Sequence, residues 1–318
     1  AHCGSACPEC NTETELTASD FKHVVDRISQ SYPPGQIMFC ITGGEPLMND
    51  DWYEICSYIS EKGYSWGMTT NGTLIDEKCI QDMYRSGMKT ISVSLDGLKD
   101  SHEKLRGVGG SFDQAVNGIR LLKASGQFKS VQVVTVVSKL NINELPELYD
   151  FVCGLGVDSW KLTAIEPMGD AVDQRSLFLD EHENYSLLNF ILSHKKRAPF
   201  EITYGCSHFL PRRYDSTVRR QSFLCGAGTL IASVASNGDI LPCLDIDCRE
   251  LVKQGNIRQD DIVDVWESRF AIFRENKALS SDVCQQCQYQ RECRGDSWHS
   301  WDFKENRPRI CFRKHIFF

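Results

Sequence analysis

Residues 2–10 read HCGSACPEC and set three thiols, Cys3, Cys7 and Cys10, in a single loop. The Cys-x3-Cys-x2-Cys spacing is too close for one loop to supply four tetrahedral ligands, yet it suits three irons of a [4Fe–4S] cube. The fourth iron is then open, able to bind a small chelating molecule and to pass it an electron. Zinc completed by a distant residue is the competing reading of the same spacing. A second group of thiols lies near the other end of the chain: Cys225-x12-Gly238-x4-Cys243, then Cys284-x2-Cys287-x5-Cys293, then Cys311.

Fifteen cysteines in 318 residues exceed ordinary usage, and a disulfide framework, structural zinc and iron–sulfur clusters compete to explain them. A disulfide scaffold is usually small and evenly studded with cysteine, whereas residues 11–205 carry only Cys40, Cys56, Cys79 and Cys153. Those four sit singly among apolar neighbours and read as small core residues. The remaining eleven lie at the two ends, mostly in ligand-like spacings.

The elements that must position these residues alternate. QIMFCIT (36–42), YSWGMTT (64–70), KTISVSL (89–95), SVQVVTVV (130–137) and SWKLTAI (159–165) are short, rich in β-branched residues and end in polar or glycine-bearing turns. Helical patterns separate them at 19–30, behind Thr17 and Ser19 as candidate caps, and at 51–62, 76–85, 112–125, 143–153 and 181–193. Right-handed crossovers turn this rhythm into a parallel sheet with helices outside. A further strand is expected before residue 1, feeding the cysteine loop. Functional groups of such sheets gather at the carboxyl ends of the strands, where ITGGEP, TTNGT, SLDG, VVSKLN and IEPMGD stand. The rhythm stops near residue 197, where a soft boundary is drawn, and GNIRQDDIVDVWESRF (255–270) is the longest helical stretch beyond it.

Net charge of −8 and a pI near 5.5 argue against a broad phosphate-binding surface, so no nucleic-acid partner is expected. HKKR (194–197) and RRYDSTVRR (212–220) are local basic clusters that read as solvated faces. No stretch approaches the roughly 20 apolar residues of a membrane span, and residues 1–30 lack a secretory signal pattern. A cytoplasmic protein without a membrane partner is expected.

The cysteine loop, TGGEP at Thr42–Pro46, TTNGT, SLDG and LRG, in that order and spacing over residues 1–170, resemble the radical S-adenosylmethionine (radical SAM) superfamily. The resemblance implies an α/β fold, a partial (β/α)6 TIM-like barrel over 1–197. It implies a [4Fe–4S] cluster on Cys3, Cys7 and Cys10, whose open iron binds S-adenosylmethionine (SAM) and cleaves it to a 5′-deoxyadenosyl radical. By motif, Gly43, Gly44 and Glu45 would bind the methionyl ammonium. Asn71, Ser94 and Asp96 would approach the ribose and methionine end, and Arg106 the methionyl carboxylate. Val137, Ser138 and Ile165 would flank adenine. The family usually has an aromatic residue before the third cysteine; this chain has Glu9, which alters that contact with adenine but not the ligand triad.

The second thiol group resembles the SPASM extension of peptide- and protein-modifying radical SAM enzymes, implying a smaller cysteine-rich α+β domain over 198–318 with one or two auxiliary iron–sulfur clusters. Cys284, Cys287, Cys293 and Cys311 match the ligand set of the second auxiliary cluster. For the first, Cys225 and Cys243 match, but residue 297 is Ser where the family pattern continues with Cys. Cys248, near Cys243, is the favoured addition; Cys206, His299 or an open iron are the alternatives.

The radical implied abstracts hydrogen from unactivated carbon, and Asp245 and Asp247, just after Cys243, are candidate bases for an oxidative outcome. The leading substrate class is a ribosomally made precursor peptide receiving a crosslink or related modification. Its leader would be recognised by a separate domain or one ahead of residue 1, and the electron donor would be a flavodoxin or ferredoxin. A sulfatase-type formylglycine maturase, a sugar dehydrogenase and a non-catalytic electron-relay protein are the other readings. WHSW (298–301) reads as packing around the metal, with a peptide groove as the alternative.

Overall fold

The computed structural model describes residues 15–168, 171, 174–205, 208–246 and 249–317. Six parallel strands form one sheet in sequence order: β1 Met38–Ile41, β2 Ser65–Thr70, β3 Thr90–Ser94, β4 Ser130–Val137, β5 Ser159–Ala164 and β6 Glu201–Tyr204. Helices α1 Ala18–Ser31, α2 Trp52–Glu61, α3 Glu77–Arg85, α4 Lys99–Arg106, α5 Ser111–Ser125, α6 Leu145–Leu155 and α7 Glu181–His194 accompany them. This is the parallel α/β sheet that the alternating pattern implied and the partial barrel that the resemblance implied, and its five foreseen strands lie where read. Thr17 caps α1 through a reciprocal capping box with Asp20. The sixth strand among the described residues is β6, at the far edge beside β5 with Ser159 opposite Glu201, so the sheet runs past residue 197.

Side chains alternate across a strand, and pairing carries this alternation intact from β1 to β6. One face, Trp66, Met68, Ile91, Val93, Val131, Val133, Trp160, Leu162 and Ile202, is buried against the helices in the main core. The other face holds Cys40, Thr69, Ser92, Ser94, Gln132, Lys161, Thr163 and Thr203, all half-buried or exposed. Polar residues predominate on this concave side, with Val134 and Val136 among them, Val136 covered by Ile165 and Phe178, and the rest of it is less buried than the helix side. Cys40 belongs to this open face and is exposed, which corrects its reading as a core residue; β1 alternates, and Phe39 and Ile41 take the apolar side. Cys56 is buried, while Cys79 and Cys153 pack partly buried on the core. Burial pushes the Cys56 thiol up to about 12.

Beyond β6, helix α8 Arg212–Val218 absorbs the second basic cluster. It is no solvated face throughout: Tyr214 and Val218 are buried, and Arg219 pairs with Asp215. A three-stranded antiparallel sheet follows, β7 Ser233–Val234, β8 Asp239–Leu241 and β9 Gly255–Asn256, with α9 Arg249–Val252 between its last two strands. Short helices α10 Ile262–Ser268, α11 Ala271–Arg274 and α12 Gln290–Cys293 and two β-hairpins complete the chain. The stretch 255–270 is therefore helical only over 262–268, because Asp261 caps it by accepting from the N–H groups of Val263 and Asp264. A second core gathers Ile240, Leu241, Val265, Phe270, Trp298 and Trp301, together with Val24 of α1. Arg27 of α1 pairs with Asp261, joining the two parts of the chain.

Candidate active site and metal centres

The ends of the strands are tied to one another by buried polar groups. After β1, Gly43 adopts φ +153°, a conformation that L side chains rarely adopt, and Glu45, 7% exposed, turns its carboxylate toward the end of β2. There Oε1 accepts from Thr70 Oγ1 at 2.6 Å and from the Leu47 N–H at 3.2 Å, and Oε2 accepts from the Asn71 N–H at 2.7 Å. Each carboxylate oxygen has about two acceptor sites, so Oε2 retains one for a further donor. Asn71 Oδ1 accepts from Thr73, while its buried Nδ2 has no hydrogen-bond partner among the described residues. Gly72 is required twice over. Its φ is +78°, and a Cβ there would stand 2.6 Å from Val93 Cγ1.

After β3, Asp96 is 1% exposed and engaged on every side. Oδ2 accepts from Arg106 Nε and Nη2, each at 2.6 Å, and Oδ1 from the Val136 N–H at 2.8 Å. Its own N–H donates to His102 Nδ1 at 3.0 Å. Burial holds the His102 pKa down, which suits an accepting nitrogen. Asn141, unforeseen from the sequence although it closes the VVSKLN stretch, donates through Nδ2 to the carbonyls of Asp96 and Val136 and accepts from the Ser138 N–H. Ser94 lies on the open face at the end of β3. Val137, Ser138 and Ile165 are buried and the Ile165 N–H donates to the Val137 carbonyl at 2.8 Å, but the Val137 side chain packs in the main core while Ile165 joins Val136 and Phe178 in a separate cluster. The structure thus brings Glu45 together with Asn71, and Asp96 with Arg106.

Four thiols meet in the C-terminal part. Cys284, Cys287, Cys293 and Cys311 line one cavity with Phe209, Tyr289, Asp296 and Arg313. Burial pushes the Cys284, Cys293 and Cys311 thiols up, so metal is what would hold them as thiolates. Cys225 accepts from the Trp298 N–H at 3.4 Å, and Cys243 donates to Asp245 Oδ2 at 3.7 Å, which places that candidate base against a candidate ligand. Cys3, Cys7, Cys10, Cys206, Cys248, Asp247 and Glu9 lie outside the described residues. Lys277, 9% exposed, donates to the Asp296 carbonyl at 2.5 Å and lies over the rings of Trp298 and Trp301 at 4.5 and 4.9 Å. Burial pulls its pKa down to about 8. Trp298 and Trp301 pack in the second core.

Sequence spacing gave no sign of a second buried cluster. Glu166, two residues past β5, faces His208 Nε2 through Oε1 at 3.2 Å and His299 Nε2 through Oε2 at 2.5 Å. His208 Nδ1 faces Asp296 Oδ2 at 3.4 Å. Burial alone would raise the Glu166 pKa and lower those of both imidazoles; their opposed charges prevail, holding Glu166 below the usual carboxylate range and raising His208 and His299. His299, an alternative for the first auxiliary cluster, therefore has its Nε2 engaged with Glu166.

Residues 2–152 match the family model of the Radical SAM superfamily, and residues 225–288 match that of the SPASM iron–sulfur cluster-binding domain. The chain belongs to the radical SAM superfamily and carries a SPASM domain after its barrel. The AdoMet-dependent heme synthase of Nitratidesulfovibrio vulgaris (strain Hildenborough) is 26% identical over 320 residues, covering 92% of this chain and 84% of that protein. The mycofactocin maturase MftC of Mycobacterium tuberculosis (strain H37Rv) is 25% identical over 307 residues, covering 92% and 75%. Streptococcus suis SuiB bound to S-adenosylmethionine shares the fold with a TM-score of 0.74 at 18% identity, covering 98% of this chain and 73% of SuiB.

The cofactors are [4Fe–4S] clusters and S-adenosylmethionine. The residues present fit both. The orphaned Asn71 amide and the unfilled Glu45 acceptor stand together where a polar cofactor would sit, and four convergent thiols form the donor set of a cubane.

Proposed function

We propose that this radical SAM enzyme is a peptide maturase that abstracts hydrogen from a ribosomally made peptide and leaves it crosslinked or otherwise modified. The observation that carries this reading is the open concave face of the sheet. Its small polar residues, Ser92, Ser94, Thr69, Thr163 and Thr203 among them, leave room for a side chain presented on an extended segment. The mycofactocin maturase relative favours the same substrate class. When bound and reduced, the cluster and SAM supply the hydrogen-abstracting radical. This chain's residues hold and shield it: Glu45 and Asn71 offer an acceptor and a donor to the methionine and ribose ends. Arg106, fixed by Asp96, keeps a cation near the rim, and Ile165, packed with Val136, gives an apolar wall. Asp245 and Asp247 are placed by sequence to take a proton in an oxidative second half. A flavodoxin or ferredoxin would deliver the electron.

A second reading is favoured by the heme synthase relative, which covers 92% of the chain: oxidation of a porphyrin side chain at the same face. The two are separated by incubating the reduced, reconstituted enzyme with SAM and either deuterated peptides encoded beside its gene or deuterated iron coproporphyrin. Deuterium in 5′-deoxyadenosine from the peptide alone supports the maturase. Transfer from the porphyrin alone replaces that reading with the second.

A further inference from the structure

We infer that Glu166, His208 and His299 form a binding site for one divalent transition ion of the zinc or iron(II) class, with no described cysteine among its ligands. Two imidazoles and one carboxylate are a donor set that suits such ions, leaving further positions for an oxygen ligand. Their ligand atoms lie within 4.8 Å of one another, with Glu166 and His208 buried and His299 half-buried. An ion about 2.1 Å from each ligand sets neighbouring donors roughly 3–3.5 Å apart. The His208–Glu166 separation is already 3.2 Å, and the 2.5 Å contact to His299 opens to that range by a turn of the carboxylate.

The second observation is that these groups meet at ion-pair distance yet several of their atoms lack hydrogen-bond geometry. Glu166 Oε2 and both ring nitrogens of His208 are buried and have no partner in hydrogen-bond geometry, although carboxylates face them at close range. A buried charged group normally finds a directed partner. Here nitrogen and oxygen atoms converge off the N–H axis, as donors do around a shared ion. The supporting residues have the arrangement usual behind a metal-bound histidine: His208 Nδ1 faces Asp296 Oδ2, and Asp296 Oδ1 is fixed by the N–H groups of Ser297 and Phe209 at 2.8 and 3.2 Å. Ser297 Oγ lies 3.2 Å from His299 Nε2 but has an alternative partner in Ser300 Oγ at 3.0 Å. The ion would clamp three separate stretches: the rim after β5, the segment after β6, and the C-terminal domain. It stands whichever substrate the enzyme takes.

The test uses the holoenzyme with its clusters assembled, given one equivalent of zinc and then desalted. Elemental analysis should find one zinc per chain, or iron in excess of acid-labile sulfide, and the zinc K-edge spectrum should show nitrogen and oxygen neighbours with imidazole scattering. Glu166→Gln, His208→Gln and His299→Gln should each lose that ion while sulfide content stays unchanged. No ion retained by the parent protein, a sulfur shell around zinc, or undiminished retention in all three variants would overturn the inference. If a variant fails to fold, the spectrum of the parent protein alone decides between the nitrogen–oxygen and sulfur outcomes.

Discussion

Glu45 Oε2 accepts a hydrogen bond from the Asn71 N–H at 2.7 Å, so the carboxylate after the first strand holds the loop after the second. This residue therefore does two things at once, fixing the rim and leaving an acceptor for a cation. In Glu45→Gln the new amide nitrogen must face either the Asn71 N–H or the donors at Oε1. The loss of a buried charged acceptor should lower unfolding free energy by about 1–3 kcal/mol and SAM affinity by about 10–100-fold. Anaerobic denaturant titration and equilibrium dialysis measure the two; unchanged affinity would remove Glu45 from the ammonium site.

Asp96 and Arg106 form a partly buried pair, their side chains 2% and 14% exposed. Asp96→Asn leaves the guanidinium without its counter-charge, and the expected loss is about 2–4 kcal/mol of stability. A cycle with Arg106→Met should recover part of that, because the second change removes the stranded cation. Additive losses would mean that the pair contributes nothing as a pair.

Much of this was legible beforehand, and the failures have physical causes. Strands β2 to β5 are rich in β-branched residues and bracketed by turns, so their pattern is unambiguous. β6 escaped notice because EITY is only four residues long, too short for its alternation to stand out. Helix α4, KDSHEKLR, carries no apolar stripe; its buried positions are Ser101 and His102, held by hydrogen bonds to Glu144 and Asp96. The Glu166–His208–His299 cluster was invisible because its members are far apart in sequence and only folding brings them together. Glycine and carboxylate at the rims announced themselves by type, whereas the bonds among them, such as Asp96 to Arg106, did not.

Lys277 is a buried ammonium among thiols of both auxiliary sets, with Cys225, Cys293 and Cys284 all acting on it. A nearby cation favours the more negative, reduced state of a cluster. Lys277→Met should shift an auxiliary-cluster midpoint to more negative potential by roughly several tens of millivolts. Potentiometric titration followed by electron paramagnetic resonance reads this directly, and a positive shift would contradict the assignment.

The two ends of the chain should fail differently. Cys287→Ala removes one of four thiols lining the C-terminal cavity, and the variant should still cleave some SAM while forming no modified product. Replacing Cys3 and Cys7 together by Ala should abolish cleavage itself. Chromatographic assay of 5′-deoxyadenosine and mass spectrometry of the substrate separate the outcomes; equal loss of both activities in both variants would contradict a division of labour.

The central claim is that the cluster held by Cys3, Cys7 and Cys10 keeps one iron free for SAM. Its most direct test is electron paramagnetic resonance of the reduced protein, with the C-terminal thiols replaced so that only this cluster remains, recorded before and after SAM is added. The account predicts a [4Fe–4S]⁺ signal whose g-values move on addition, with 5′-deoxyadenosine formed. A signal indifferent to SAM, or zinc in place of iron, would contradict it.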